Sequence, residues 1–218
     1  GIYRANTVID RIAGVTMDET LKKRVVGEAK FLRALMYFNL VRAFGDVPLV
    51  VKEIIDPSEG YDYGRSPVAE IYTQITKDLT DAEGVLPERY TGVDVGRATR
   101  GAAKSLLGKV YMTQRKYAEG AAKLKEVVDA ATYDLLPAYG DLFKPANKNS
   151  RESVFEVQYK KGSLGEGSNF SNVYAPENSG NAVIQFGGGG NNRPTLDLEN
   201  AFEAGDPRKN LSFATSYI

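Results

Sequence analysis

The chain has 218 residues, 42% apolar and 26% charged, with 28 Lys plus Arg against 28 Asp plus Glu. That length suffices for one sizeable core, and the balanced charge lacks the electrostatic footprint of a nucleic-acid binder. The absence of Cys excludes disulfides, Cys-ligated zinc and thiol catalysis, and the absence of His removes the commonest general base and metal ligand.

No run approaches the ~18 consecutive apolar residues of a membrane span. Gly1-Ile2-Tyr3-Arg4 reads as interior sequence with no leader pattern, so any targeting signal is absent or upstream. Ile2, Val8, Ile9 and Ile12 give a short amphipathic pattern that stops at Gly14. Asp18 and Glu19 then open a long helix, placed at the positive end of its dipole. Leu21, Val25, Ala29, Leu32, Met36 and Leu40 fall at steps of three and four and are expected to form its buried face. On that reading Leu32→Ala costs about 2–5 kcal/mol. Residues 31–41 are apolar nearly all round, and Gly45 with Pro48 marks the stop.

Residues 46–65 form a long connection containing Pro57, Gly60, Tyr61 and Tyr63, of the kind that often carries function. Ser66-Pro67 supplies an N-cap and first-turn proline for the next helix, whose stripe is Val68, Ile71, Ile75, Leu79 and Ala82. Thr99 caps a fourth helix bearing Ala103, Leu107, Val110 and Tyr111. A fifth carries Tyr117, Ala121, Leu124, Val128 and Ala131. The pattern changes after Tyr133. Phe155, Val157 and Tyr159 alternate with Glu156, Gln158 and Lys160, which predicts a strand over 153–160. Residues 161–195 are a Gly-, Asn- and Ser-rich irregular region, with Gly187–Gly190 in a row and a short strand expected at 182–186. A helical pattern resumes at Leu196–Phe202.

The pair of helices at 101–131 fits a tetratricopeptide repeat. Leu107, Gly108 and Tyr111 match its first helix; Gly120 and Leu124 stand where a small and a large apolar residue recur on its second. Lys104 occupies the position usually held by Trp. An ordinary helical hairpin is the plainer alternative.

Gly27-Glu28-Ala29-Lys30-Phe31-Leu32-Arg33-Ala34, then Tyr37-Phe38-Asn39-Leu40-Val41-Arg42 and Phe44-Gly45-Asp46-Val47-Pro48-Leu49, resembles the signature of the SusD/RagB family of outer-membrane nutrient-binding proteins. Ala5–Ile9, Gly96–Ala103 and Glu203–Arg208 resemble further family segments in the same order. The resemblance implies a mainly α fold of tetratricopeptide-like hairpins with a long irregular loop region and a short strand or two. It implies a helical scaffold over 1–135, the loop-rich start of the family's C-terminal part over 136–218, and more protein at both ends. It also implies lipid anchoring at the extracellular face of the outer membrane, and capture of oligosaccharide, or peptide, for a TonB-dependent SusC-like transporter. The other reading is a repeat-based protein–protein scaffold without a small ligand.

Glu28 and Arg33 lie on a largely buried helix, where charges persist only when paired. Asp46, after Gly45, is suited to accept backbone N–H groups. All three read as structural. Catalytic motifs fail: Ala103-x4-Gly108-Lys109-Val110 is a phosphate-loop near miss inside a helix, and no carboxylate pair stands out. No enzyme activity, cofactor or metal is expected. Ligand contacts are expected from Tyr174, Phe186, Asn191 and Arg193, with Asn178 and Tyr61: aromatic faces stack on sugars, while amides and guanidinium bond hydroxyls. A mobile loop with its aromatics tucked into the core is the alternative.

Overall fold

The longest helix is bounded by the residues that cap it. The Leu21 amide donates to the Asp18 carboxylate at 2.8 Å, and Gly45 ends the helix at φ 69°, a conformation that favours glycine. In the computed structural model, which describes residues 1–160, 165–178, 180–184 and 187–212, this helix is Glu19–Phe44. It is α2, preceded by α1 (Ile2–Arg11) and followed by α3 (Val68–Val85), α4 (Arg100–Thr113) and α5 (Tyr117–Asp129). Each packs against the next. Together they make one unit, Gly1–Leu135 with Arg151–Glu156. Leu136–Ser150 and Val157–Ile218 make a second, which carries the short helices α6 (Phe170–Tyr174), α7 (Gly180–Val183), α8 (Leu196–Asn200) and α9 (Lys209–Ser212). The fold is mainly α.

The core of the first unit is built by Phe31, Ala34, Phe38 and Val41 of α2, Ile71, Ile75 and Leu79 of α3, and Ala103, Leu107 and Val110 of α4. The stripe expected on α2 is therefore out of phase. Leu32 is 44% exposed, and the buried face runs through Gly27, Phe31, Ala34, Phe38 and Val41 instead. A segment apolar nearly all round leaves periodicity unable to choose a face; contact with α3 chooses it. On α3 the expected stripe holds from Ile71 to Ala82, but Val68 is exposed.

Ser66 does not cap α3. The cap comes from Asp46, 22 residues earlier, whose carboxylate accepts from the Val68 amide at 2.9 Å. Arg65 donates to the carbonyls of Asp46 and Phe44 at 2.8 and 2.9 Å, satisfying the open end of α2. The Gly45-Asp46 turn thus ends one helix and starts the next.

A polar network sits beside the apolar core. Arg33 donates from Nε and Nη2 to the two carboxylate oxygens of Asp78 at 2.8 and 2.7 Å. Its Nη1 reaches Asn6 Oδ1 at 2.9 Å and the Val51 carbonyl at 3.0 Å. Asn6 in turn donates to the carbonyls of Val50 and Lys52, both at 2.9 Å. Glu28 is likewise paired, with Arg97 at 2.8 Å and the Tyr90 hydroxyl at 2.8 Å.

The α4–α5 hairpin shows the close approach that its two glycines suggest. A Cβ on Gly108 would lie 2.7 Å from the Leu124 side chain, and one on Gly120 would lie 3.3 Å from the Gly108 carbonyl. Lys104, at the usual Trp position, bridges the helices to Glu126 at 2.8 Å.

The strand expected over 153–160 does not form, and the one expected at 182–186 is helical where its first residues are described. Among the described residues there is no strand, only two isolated bridges, Val47 with Ser66 and Glu177 with Gly188. Phe155 packs edge-to-face on Phe31 at 5.0 Å, but Val157 and Tyr159 are exposed. Among the described residues, 153–160 joins no ladder and forms no bridge. Ala182–Phe186 overlaps α7, Gly180–Val183, while Gln185 and Phe186 lie outside the described residues.

Two outcomes are expected in denaturant titration and thermal melts. Phe31→Ala should cost about 3–5 kcal/mol, and Leu32→Ala under about 1 kcal/mol. Hydrogen bonding by Arg11 at 2.6 Å holds the Glu53 carboxyl below the usual range; Lys104 and Lys123 do the same for Glu126. A depressed carboxylate adds stability that is full above its unfolded pKa and lost as pH falls through the folded one. Melting temperature should therefore drop from about pH 5 towards pH 3, less steeply in Glu53→Gln.

Candidate functional site

The Gly- and Asn-rich sequence folds back on itself within the second unit. After α6 the chain turns through Asn178, at φ 61°, and residues 187–193 return alongside 172–177. Gly189 N donates to Asn172 O at 2.7 Å, Asn191 N to Val173 O at 3.1 Å, and Gly190 N to Ala175 O at 2.9 Å. The Asn172 amide closes the return on the Gly187 carbonyl at 3.0 Å, and that of Asn191 on the Val173 carbonyl at 3.2 Å. Glycine is required here by space. A Cβ on Gly188 would lie 2.4 Å from the Ala175 carbonyl oxygen and 2.3 Å from that of Pro176.

This return carries an aromatic pair. Phe170 and Tyr174, one helical turn apart on α6, have ring centroids 4.5 Å apart and are 65% and 43% exposed. Neither ring is tucked into a core. Arg193 pairs with Glu177 at 2.8 Å, both side chains largely exposed. An ion pair so placed holds together weakly and leaves the guanidinium accessible.

The structure thus brings Tyr174, Asn191 and Arg193 into one local assembly, with Asn178 exposed in its turn. Tyr61 belongs to the other unit, on a short 3-10 turn, Pro57–Asp62, where it is 91% exposed. That turn is fixed by Asp56, which accepts from the Ser58 amide at 2.9 Å. Phe186 lies outside the described residues. Phe170 belongs to the aromatics that the sequence places in or near this loop region as a candidate binding surface, without being one of the six residues singled out, and Glu177 was not expected there. The Phe170–Tyr174 spacing of four, which stacks side chains on a helix, was the available signal for the first; nothing in the sequence pairs Arg193 with Glu177. Among the described residues no cluster of three or more acidic groups is placed to hold a metal ion, and no helix is long and apolar enough to cross a membrane.

The family described as "Starch-binding associating with outer membrane", a SusD-like family, matches residues 1–112. The chain belongs to the SusD-like family. A SusD-like protein of Formosa agariphila is 26% identical over the whole of this chain, which spans 48% of that relative's length. A surface glycan-binding protein from Bacteroides fluxus superposes with TM-score 0.84 at 27% identity, over 96% of this chain and 47% of that one. A laminarin-binding SusD-like protein superposes with TM-score 0.68 at 39% identity, over 73% of this chain and 36% of that one. The chain spans about half the length, or less, of these SusD-like proteins.

The return at 172–193 makes one structural prediction. Gly188→Ala should open it, seen as faster limited proteolysis between residues 165 and 195. Gly167→Ala, where the nearest atom is 3.8 Å away, should leave the cleavage rate unchanged.

Proposed function

We propose that this chain forms part of a glycan-binding protein at the outer-membrane surface, and that the 170–193 return contributes ligand contacts. The observation that carries the proposal is the exposed Phe170–Tyr174 pair, held on a hydrogen-bonded scaffold beside the Asn191 amide and the Arg193 guanidinium. Apolar sugar faces suit aromatic rings, and hydroxyls suit amides and guanidinium groups. The relatives support the class of ligand: one SusD-like structure binds laminarin, another is a surface glycan-binding protein. Tyr61, exposed on its capped turn, is proposed as a separate sugar-contacting position of the helical unit, considered by itself. Delivery of the captured oligosaccharide to a SusC-like TonB-dependent transporter, and attachment by an N-terminal lipid, complete the reading.

Calorimetry with laminarin and starch oligosaccharides on the intact protein tests this. Each aromatic ring is worth about 1 kcal/mol, so Phe170→Ala and Tyr174→Ala should each weaken binding roughly fivefold at unchanged melting temperature. Equal affinity in both variants and the parent would remove the return from the binding surface. Binding of peptides in place of any oligosaccharide would change the ligand class.

A further inference from the structure

The start of α2 and the connection between α3 and α4 line a pocket of about 490 Å³, wholly within the helical unit. That is the size of a small-molecule site. Leu21, Val85 and Pro87 give it apolar surface, and Thr20 and Thr91 add exposed hydroxyls. Three guanidinium groups, those of Arg24, Arg89 and Arg100, stand against two carboxylates, those of Asp18 and Asp94.

Both carboxylates are already engaged. Asp18 accepts from the Leu21 amide at 2.8 Å as the cap of α2. Arg97 holds Asp94 at 2.7 Å and Glu28 at 2.8 Å, and the other oxygen of Glu28 takes the Tyr90 hydroxyl at 2.8 Å. Arg24 is left with looser contacts, to Asp94 at 3.3 Å and to Glu28 at 3.5 Å. Its Nε is buried without a hydrogen-bond partner among the described residues, and its guanidinium carbon lies 5.4 Å from the centre of the Tyr90 ring. The side chain keeps 26% exposure, which leaves its terminal N–H groups to meet a ligand. Arg89 donates to the Thr132 carbonyl, and Arg100 to the Glu83 carbonyl at 3.1 Å and to Glu88 at 2.9 Å. Each guanidinium carries five N–H groups, so neither is exhausted.

We propose that this pocket binds a saccharide residue that carries a carboxylate, such as a hexuronate. The carboxylate meets the paired terminal N–H groups of Arg24, the geometry a guanidinium favours. The apolar surface at Leu21 and Pro87 takes a face of the sugar ring, and the remaining N–H groups of Arg89 and Arg100, with the threonine hydroxyls, take its hydroxyls. A neutral sugar would leave Arg24 as loosely compensated as it stands; a carboxylate completes it without disturbing the tighter Arg97 pairs. None of these residues belongs to the return at 170–193, so the pocket stands or falls independently of that surface.

Calorimetric titration of the intact protein with digalacturonate and with digalactose isolates the effect of the carboxylate. Digalacturonate should bind at least about tenfold more tightly, and Arg24→Gln should cut that preference to under about twofold. Hydrogen exchange locates the site: digalacturonate should slow exchange of amides in 18–24 and 86–95 of the parent but not of the variant. Should Arg24→Gln fold poorly, Arg24→Lys serves in its place; it keeps the charge, loses the paired N–H groups, and should lose most of the preference. Equal affinity for the two sugars overturns the proposal. So does acetate binding as tightly as digalacturonate, or slowed exchange at 170–193 in place of the pocket.

Discussion

The Arg33–Asp78 ion pair is the contact on which the helical unit turns. Arg33 is 4% exposed and Asp78 0%, so each ion has lost its water and must be compensated by the other. A bidentate guanidinium–carboxylate pair does this only in one geometry. That geometry sets α2 against α3. The remaining donor of Arg33 then reaches Asn6 and Val51, and Asn6 holds Val50 and Lys52. Gln74 adds a bond to Asp78 at 2.9 Å, and Tyr37 exchanges two with Val50. One charge pair therefore fixes the relation of α1, α2, α3 and the connection after α2. Apolar packing tolerates small slides between helices; a buried pair with its lone pairs satisfied does not. The long connection at 46–56 is ordered because its carbonyls complete this network.

The same reasoning explains what was legible in the sequence. Asp18, Gly45 and Thr99 act through their immediate neighbours, so α2 and α4 were readable to within a residue at those ends. The glycines at 108 and 120 were readable because the repeat pattern encodes their spacing. The phase of α2 was not. Its central stretch offers apolar residues to every side, and only the position of Asp78, 45 residues away, decides that Arg33 faces inward and Leu32 outward. Asp46 is similar: its value as an acceptor was visible, but its donor lies across the chain at Val68. The strand at 153–160 failed for the opposite reason. Alternation is a local signal, while a strand requires a partner, and the segment instead gives Phe155 to the core and releases Val157 and Tyr159 to water.

The candidate site follows a different logic. In the helical unit the sequence supplies large side chains and the fold buries them. At 170–193 it supplies glycine and asparagine, and the fold is made by backbone and amide hydrogen bonds. Glycine permits close approach of one backbone to another, and Gly188 is seated where no Cβ fits. What composition could not give was the pairing of partners: that Asn172 closes on Gly187, that Phe170 lies against Tyr174, that Glu177 takes Arg193. The result spends its polar atoms on holding shape and leaves two aromatic rings and one loosely held guanidinium outward.

That division bears on the kind of chemistry available. The carboxylates with displaced protonation are held by structural partners. Arg11 holds Glu53 and Lys104 with Lys123 hold Glu126, while Arg208 draws Asp206 down to about 2. The Tyr90 phenol is pushed up by burial and by the adjacent Glu28. Each shift favours the protonation state that keeps a contact closed, whereas a general acid or base must be poised to change state. Binding asks for less. On the proposed reading a sugar hydroxyl would replace Glu177 at the Arg193 guanidinium at little cost, because an exposed pair contributes little to begin with. A ring already in water gains by being covered. On the same reading, a surface of this kind would exchange weak solvent contacts for weak ligand contacts, so neither state would be held strongly.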